Sequence, residues 1–388
     1  MHYNLAKNKL FKPMESLQGG SITFKTPDGE TRTYGDTSAG APIEVEIFDW
    51  RVISNMLLRG NIGLAEDYRD GKWATNDLPG LLTLGMQNKQ VLADKTTGSF
   101  LFRLVALLHY VFKANTLKGS RKNIVAHYDL GNSFYKLWLD PSMTYSSGVY
   151  ITPTDSLEHA QANKYNRILE RLNGAAGNSI LEIGCGWGGF AEAALKKHPF
   201  QIKGITLSDE QHDYAQKRLG NGATIALEDY RIQKGQYDHI VSIEMFEAVG
   251  ETYWPTYFQQ VAKLLKPTGN AVIQTITIND KDFQHYRKRG DFIRSFIFPG
   301  GMLPSPSRFV QEAKAAGLEA VDTFSFGLDY AKTLEAWLER FDAQKQQVLD
   351  LGFDEGFIRM WRFYLAGCIA GFKSQHIDVM QVELKHAS

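Results

Sequence analysis

A glycine-rich turn is the first place where chemistry can be read. Ile180-Leu181-Glu182-Ile183 leads into Gly184-Cys185-Gly186-Trp187-Gly188-Gly189. Glycines at 184, 186 and 189 let the backbone turn sharply from strand to helix and let a ligand approach it closely. That spacing also serves dinucleotides, whose ribose wants an acid at the end of the second strand. Here the second strand ends Gly204-Ile205-Thr206-Leu207-Ser208, with no acid before Asp209. Glu182, just before the first glycine, suits a loop passing under the methionine end of S-adenosylmethionine. Asp229 and Tyr230, ending the third strand, suit an adenine amino group and ring. A tight turn with no ligand is the plainer alternative.

The elements around this loop point to an α/β fold. From about 178, strands alternate with helices, as in a doubly wound, Rossmann-like sheet of the class I methyltransferase type. Strands are expected at 179–183, 202–207, 223–227, 238–243 and 270–276, the last entered through Pro267-Thr268-Gly269. Ser208 and Gln211 form a capping box for the helix after the second strand. A long irregular insertion occupies 279–304, then come a strand at 318–326, two long helices and a strand at 377–385. Residues 21–34 read as a hairpin around Pro27-Asp28-Gly29, followed by short helical stretches up to about 112. The expected division is a small α+β domain over 1–115, contacting lipid or membrane, and a catalytic domain over 116–388. Lys113 to Lys122 serves as the linker.

Composition narrows the class. The chain has 388 residues, 43% apolar and 22% charged, with zero formal net charge, ordinary for a soluble globular protein. Its two cysteines, Cys185 and Cys368, support neither a disulfide framework nor a cysteine metal site. No metal and no nucleic acid is expected. Met1 to Ser16 lack the apolar run of a secretory signal, so a cytoplasmic setting is expected. Lys95, Arg103, Lys113, Lys118, Arg121 and Lys122 flank an apolar stretch from Phe100 to Phe112, with no acid between 95 and 122. Such a stripe suits peripheral contact with an anionic membrane, on the inner face. It also reads as a core or dimer helix, so a homodimer stays open.

Further motifs extend the pattern. They are His127-Tyr128-Asp129-Leu130-Gly131-Asn132, Tyr145-Ser146, Met245-Phe246-Glu247, Ile297-Phe298-Pro299-Gly300-Gly301, Leu303-Pro304-Ser305 and Tyr330-Ala331-Lys332-Thr333-Leu334. With the glycine loop, and with Gly204 to Ser208 and Gln211, this order resembles the cyclopropane-fatty-acyl-phospholipid synthases. Mycolic acid cyclopropane synthases are similar relatives. The resemblance implies that Tyr145 and Ser146 contact the methionine end of S-adenosylmethionine, with Gly184 and Gly186 beneath it. Thr206 and Gln211 would face the ribose, and Asp229 and Tyr230 the adenine. It also implies a bicarbonate base held by Ser147, Glu247, Gln274, the Ile276 amide and Tyr330. The sequence departs from the family at Ser147 and Gln274, where relatives carry Cys and His. It departs again at Ala248, a family His, and at Glu244, where relatives carry a small residue.

The implied activity is transfer of a one-carbon unit to the cis double bond of a phospholipid acyl chain, giving a cyclopropane. An alkene is a poor nucleophile and its alkylation leaves a cation. The site must therefore orient the alkene, exclude water, stabilise positive charge and take up a proton. Glu247 is placed to hold the ion or to act as base, and Tyr330 to donate as a neutral phenol. Phe246, Tyr253, Trp254, Phe298 and Tyr330 are candidate cation-facing rings. In the insertion, His285, Arg287, Lys288, Arg289 and Arg294 suit head groups, while Phe292, Phe296 and Phe298 suit acyl chains. The alternatives are a methylene- or methyl-branched product, N-methylation of a small amine, and a lipid-binding module without turnover.

Overall fold

The computed structural model describes residues 7, 11–89, 130–288 and 292–387. The basic stripe at 95–122, the boundary near 115, His127 to Asp129 and Arg289 lie outside the described residues.

The hairpin forms as β1 (Ser21–Lys25) and β2 (Thr31–Gly35), paired antiparallel. The stretch after the hairpin is not only helical. β3 (Ile43–Ile47) pairs parallel with β1, and β4 (Trp73–Thr75) pairs antiparallel with β3, giving a sheet of order β2-β1-β3-β4. Ile43-Glu44-Val45-Glu46-Ile47 alternates with period two and buries Val45 and Ile47, a strand signature in only five residues. Between these strands runs the helix Arg51–Arg69, broken at Gly60, whose φ of 60° and ψ of −140° leave the helical region. This unit shares one apolar cluster with the C-terminal part of the chain. The Trp73 ring lies 4.9 Å from Tyr68, tilted by 50°, and Tyr68 lies 5.9 Å from Phe363 of the helix Glu355–Lys373.

The second sheet contains β5 (Ser179–Ile183), β6 (Gln201–Thr206), β7 (Ala223–Leu227), β8 (Tyr237–Ile243), β9 (Leu265–Ile278), β10 (Leu318–Ser325) and β11 (Ile377–His386). Their order is β10-β11-β9-β8-β5-β6-β7. β5 through β9 pair in parallel, while β11 runs antiparallel between β9 and β10. β9 starts earlier than the sequence suggests. Leu265 already pairs with Tyr237, and a register shift then carries Lys266 to Gly269 past the ladder before Asn270 meets His239.

The chain leaves β5 toward β6 on one side and returns to β8 on the other. Outside the carboxyl ends at such a reversal, α/β sheets place their ligands. The glycine loop leaves the end of β5 there, and Glu244 to Glu247 leave the end of β8. The insertion is more regular than its composition suggests, with a helix at Asp280–Tyr286 and a π turn at Ile293–Ile297. Among the described residues no helix is long and apolar enough to cross a membrane.

Candidate active site

The glycine loop takes the conformations its sequence requires. Gly184 and Gly186 have φ of 82° and 53°, in the left-handed region that side chains resist. The amides of Gly184 and Cys185 both donate to the Ile205 carbonyl, tying the loop to the end of β6. A Cβ on Gly184 would lie 2.7 Å from Met245, whereas one on Gly186 would meet no protein atom within 4 Å. Gly186 therefore borders open space, as a loop passing under a ligand must.

Polar groups near the loop fit S-adenosylmethionine unevenly. Glu182 is 3% exposed, its Oε2 has no partner, and burial pushes its carboxyl well above the usual range. An orphaned buried acid fits the cationic methionine end. Tyr230 is buried with its hydroxyl unpartnered, and burial raises that phenol. Thr206 donates to Gln211 at 2.8 Å, so these two sit together at the end of β6. Arg231 donates to both carboxylate oxygens of Asp229, at 2.9 and 2.7 Å, which fixes that acid beside Tyr230 and leaves acceptor sites on each oxygen.

Ser146 is pinned from behind by the helix Leu157–Leu172. Gln161 donates to its carbonyl at 2.9 Å and Lys164 to its hydroxyl at 2.6 Å. Lys164 is fully buried, and burial lowers its ammonium to about 7 against the pull of Glu244, Asp140 and Glu182. The two side chains lie three residues apart on the apolar face of that helix. Polar residues at core positions are the signal that could have marked them. Tyr145 places its hydroxyl 2.8 Å from that of Tyr364.

The residues expected to hold a bicarbonate ion do not converge on Glu247. Three of them surround Glu244. The Ser147 amide donates to Glu244 Oε1 at 2.8 Å, the Gln274 side chain to the same oxygen at 2.7 Å, and the Tyr330 hydroxyl to Oε2 at 2.6 Å. Glu247 takes the remaining donors: the Ile276 amide at 2.5 Å and the Thr275 hydroxyl at 3.1 Å, both on Oε1. Its Oε2 is buried without a partner. The five predicted residues are thus adjacent, but divided between two carboxylates, one of which sequence reasoning did not count as a site residue. Tyr330 stays a neutral donor, since burial and Glu244 hold its phenol well above the usual value.

Some assigned aromatics prove structural. Phe246 and Trp254 are fully buried and stacked 5.6 Å apart within the core. In the insertion, Arg287 pairs with Glu251, and Arg294 is 6% exposed, over the Tyr286 ring at 4.2 Å. Arg294 therefore does not face outward as a head-group contact would, whereas Arg287 keeps a partly exposed side chain. Phe292 packs 5.1 Å from Phe363.

The family model for mycolic acid cyclopropane synthetase matches residues 115–382. The chain belongs to this family. Over 335 residues it is 36% identical to the tuberculostearic acid methyltransferase UfaA1 of Mycobacterium tuberculosis, covering 83% of this chain and 78% of that one. It is 35% identical to the cyclopropane-fatty-acyl-phospholipid synthase of Escherichia coli, covering 89% and 88%. Among solved structures, mycolic acid cyclopropane synthase CmaA1 in complex with SAH and CTAB superposes with a TM-score of 0.65 at 32% identity, over 68% of this chain and 97% of that one. This family member is a methyltransferase that uses S-adenosylmethionine, which supplies an electrophilic methyl group when bound.

Burial and the neighbouring Glu244 raise the Glu247 carboxyl of this synthetase-family chain to about 8, against an ordinary value of 4.5. Below pH 4.5 the folded and unfolded chains both hold that proton. Between 4.5 and about 8 the unfolded chain releases it while the folded chain keeps it, so stability falls as pH rises through that window. Glu247→Gln keeps the acceptor for Ile276 and cannot ionise. The variant is expected to melt above the wild type at pH 8.5, by a margin that shrinks at pH 5. A margin independent of pH, in parallel thermal melts, would mean that Glu247 titrates as an ordinary carboxyl.

Proposed function

We propose that this chain transfers one carbon from S-adenosylmethionine to the cis double bond of an unsaturated acyl chain in a membrane phospholipid, and closes a cyclopropane. The carrying observation is the pair of carboxylates that follow β8, Glu244 and Glu247, either side of Met245 and so beside the glycine loop. The Ser147 hydroxyl is fully buried and donates to the Gly148 carbonyl, so it is not poised as a nucleophile. Methyl transfer to an alkene needs none. It needs anionic charge near a developing cation, exclusion of water and an acceptor for one proton. Tyr145 and Tyr330 supply aromatic faces, backed by the fully buried Trp337 at ring-centroid distances of 5.4 and 6.1 Å. The Escherichia coli relative is named for the same reaction on the same class of lipid.

Peripheral contact with the cytoplasmic face of the membrane belongs to this reading, supported by the basic stripe in the sequence and by Leu58 and Phe296, both exposed. A second reading has its own support. Glu244 takes donors that the resemblance assigns to a bicarbonate base, and the tuberculostearic acid methyltransferase is named for a methyl-branched product. A base placed differently would remove a different proton and leave a methylene or methyl branch.

Incubation of the purified chain with isotopically labelled S-adenosylmethionine and vesicles of a cis-monounsaturated phospholipid tests both. Incorporation of label into lipid is expected, with ring protons far upfield in the proton NMR spectrum of the product. Signals confined to the alkene region would replace the ring with the branched reading. No incorporation into lipid would remove both.

A further inference from the structure

We infer that Glu244 is the base of this reaction, a carboxylate built into the fold where its three donors converge. The inference rests on the proposed alkylation and names the group that completes it. Glu244 follows Ile243, the last residue of β8, after the fully buried Ile240-Val241-Ser242, and it and Glu247 keep partial exposure. The residues that donate to it keep almost none: Ser147 and Gln274 are 0% exposed and Tyr330 6%. The carboxylate therefore sits among donors that are themselves shut off from solvent. Gln274 is itself fixed, since Gln381 donates to its carbonyl oxygen at 2.9 Å. That bond sets the orientation of the amide and turns its NH2 group toward Glu244.

Two further observations favour Glu244 over Glu247. The first is donor count. Glu244 accepts from an amide, a side-chain amide and a phenol, spread over both oxygens. Glu247 accepts on one oxygen only. Two neighbouring carboxyls resist double ionisation, and the one with more donors is the better seat for the negative charge. The second is backbone. Glu244 has φ of 50°, in the left-handed region, and its amide donates to the Gln274 carbonyl at 2.8 Å. A non-glycine residue held there is strained, and the surrounding bonds hold it in place. The strain aims this one side chain at Ser147, Gln274 and Tyr330.

In the reaction, the alkene π pair forms the bond to the incoming methyl carbon, the carbon–sulfur pair leaves with sulfur, and the positive charge passes to the neighbouring acyl carbon. A C–H bond of the new methyl then breaks, its electron pair closes the ring, and the proton forms an O–H bond on Glu244. Glu244 later returns that proton to solvent. No exogenous bicarbonate is required, although Ser147, Gln274 and Tyr330 are the residues that the resemblance assigns to that ion.

The test uses the full chain, labelled S-adenosylmethionine and vesicles of a cis-monounsaturated phospholipid, in carbonate-free buffer with and without added bicarbonate. The wild type is expected to alkylate lipid at one rate in both buffers. Glu244→Gln should lose turnover by about a hundredfold or more, the scale of a general base, while binding SAH within about threefold of wild type by calorimetry. Glu244→Gly suits the positive φ, and formate or bicarbonate should restore part of its rate by entering the space left behind. Glu247→Gln should lose less than Glu244→Gln. A wild type that needs bicarbonate, a Glu244→Gln rate within tenfold of wild type, or a deeper loss in Glu247→Gln would each overturn the assignment. A wild type that labels no lipid would instead overturn the proposed reaction.

Discussion

Gly186→Val is expected to weaken SAH binding by about a hundredfold, about 2.8 kcal/mol, in a chain that still folds. The position combines two requirements. Its φ of 53° lies where a side chain is strained, and a β-branched one most of all. A Cβ there meets no protein atom within 4 Å, so the valine methyls would project into the space the loop leaves for its ligand. Gly184 is different, because its Cβ would strike Met245 at 2.7 Å and push on the turn that carries Glu247. Gly184→Val therefore damages the fold and the site together, while Gly186→Val isolates the site. Calorimetry with SAH, beside a thermal melt, separates the two. Unchanged affinity in a folded Gly186→Val chain would take the loop out of the binding site.

The glycine loop was legible because its requirement is local: a φ that side chains resist, at a fixed place after an apolar strand. The seven strands of the main sheet were legible for a similar reason, since between turn signals their apolar residues run together, as in Ala223–Leu227, or recur at short intervals, as in Leu318–Ser325. β3 and β4 were missed because five and three residues give a period-two pattern little room beside the long helix Arg51–Arg69. The ion pair of Asp229 with Arg231 was not legible, because Arg231 sits two residues on and reads as an exposed turn residue. Glu244 is the clearest case of information that sequence does not carry. Its partners lie 97, 30 and 86 positions away, at Ser147, Gln274 and Tyr330. Only the pairing of β8 with β9, and the packing of the helix Gly327–Ala343 on β11 next to them, makes them donors to one carboxylate. An acid at that position marks a departure from the family but says nothing of what it replaces.

The long-range packing that assembles this site can be tested at Phe134, where truncation is expected to cost about 3–5 kcal/mol of stability. Phe134 is fully buried in the short helix Asn132–Lys136, and its ring lies within 6.2 Å of Tyr135, Trp138, Phe341, Phe353, Phe357 and Trp361. Those rings come from three separate stretches of chain, so no single segment can collapse into the space an alanine leaves. Two lines of aromatic contact run from it toward the site. One passes through Trp361 to Tyr364, whose hydroxyl meets that of Tyr145. The other passes through Trp138 and Trp337 to Tyr330, which donates to Glu244. Phe134→Ala should therefore lower the urea midpoint without changing the denaturant slope, since the surface exposed on unfolding is nearly the same. At temperatures where the variant stays folded, turnover should fall with little change in SAH affinity, because the rings that loosen lead to the carboxylate rather than to the glycine loop. A stability loss under about 1 kcal/mol would mean that the neighbouring rings fill the space. The aromatic cluster would then be soft packing rather than the frame that holds Tyr330 against Glu244.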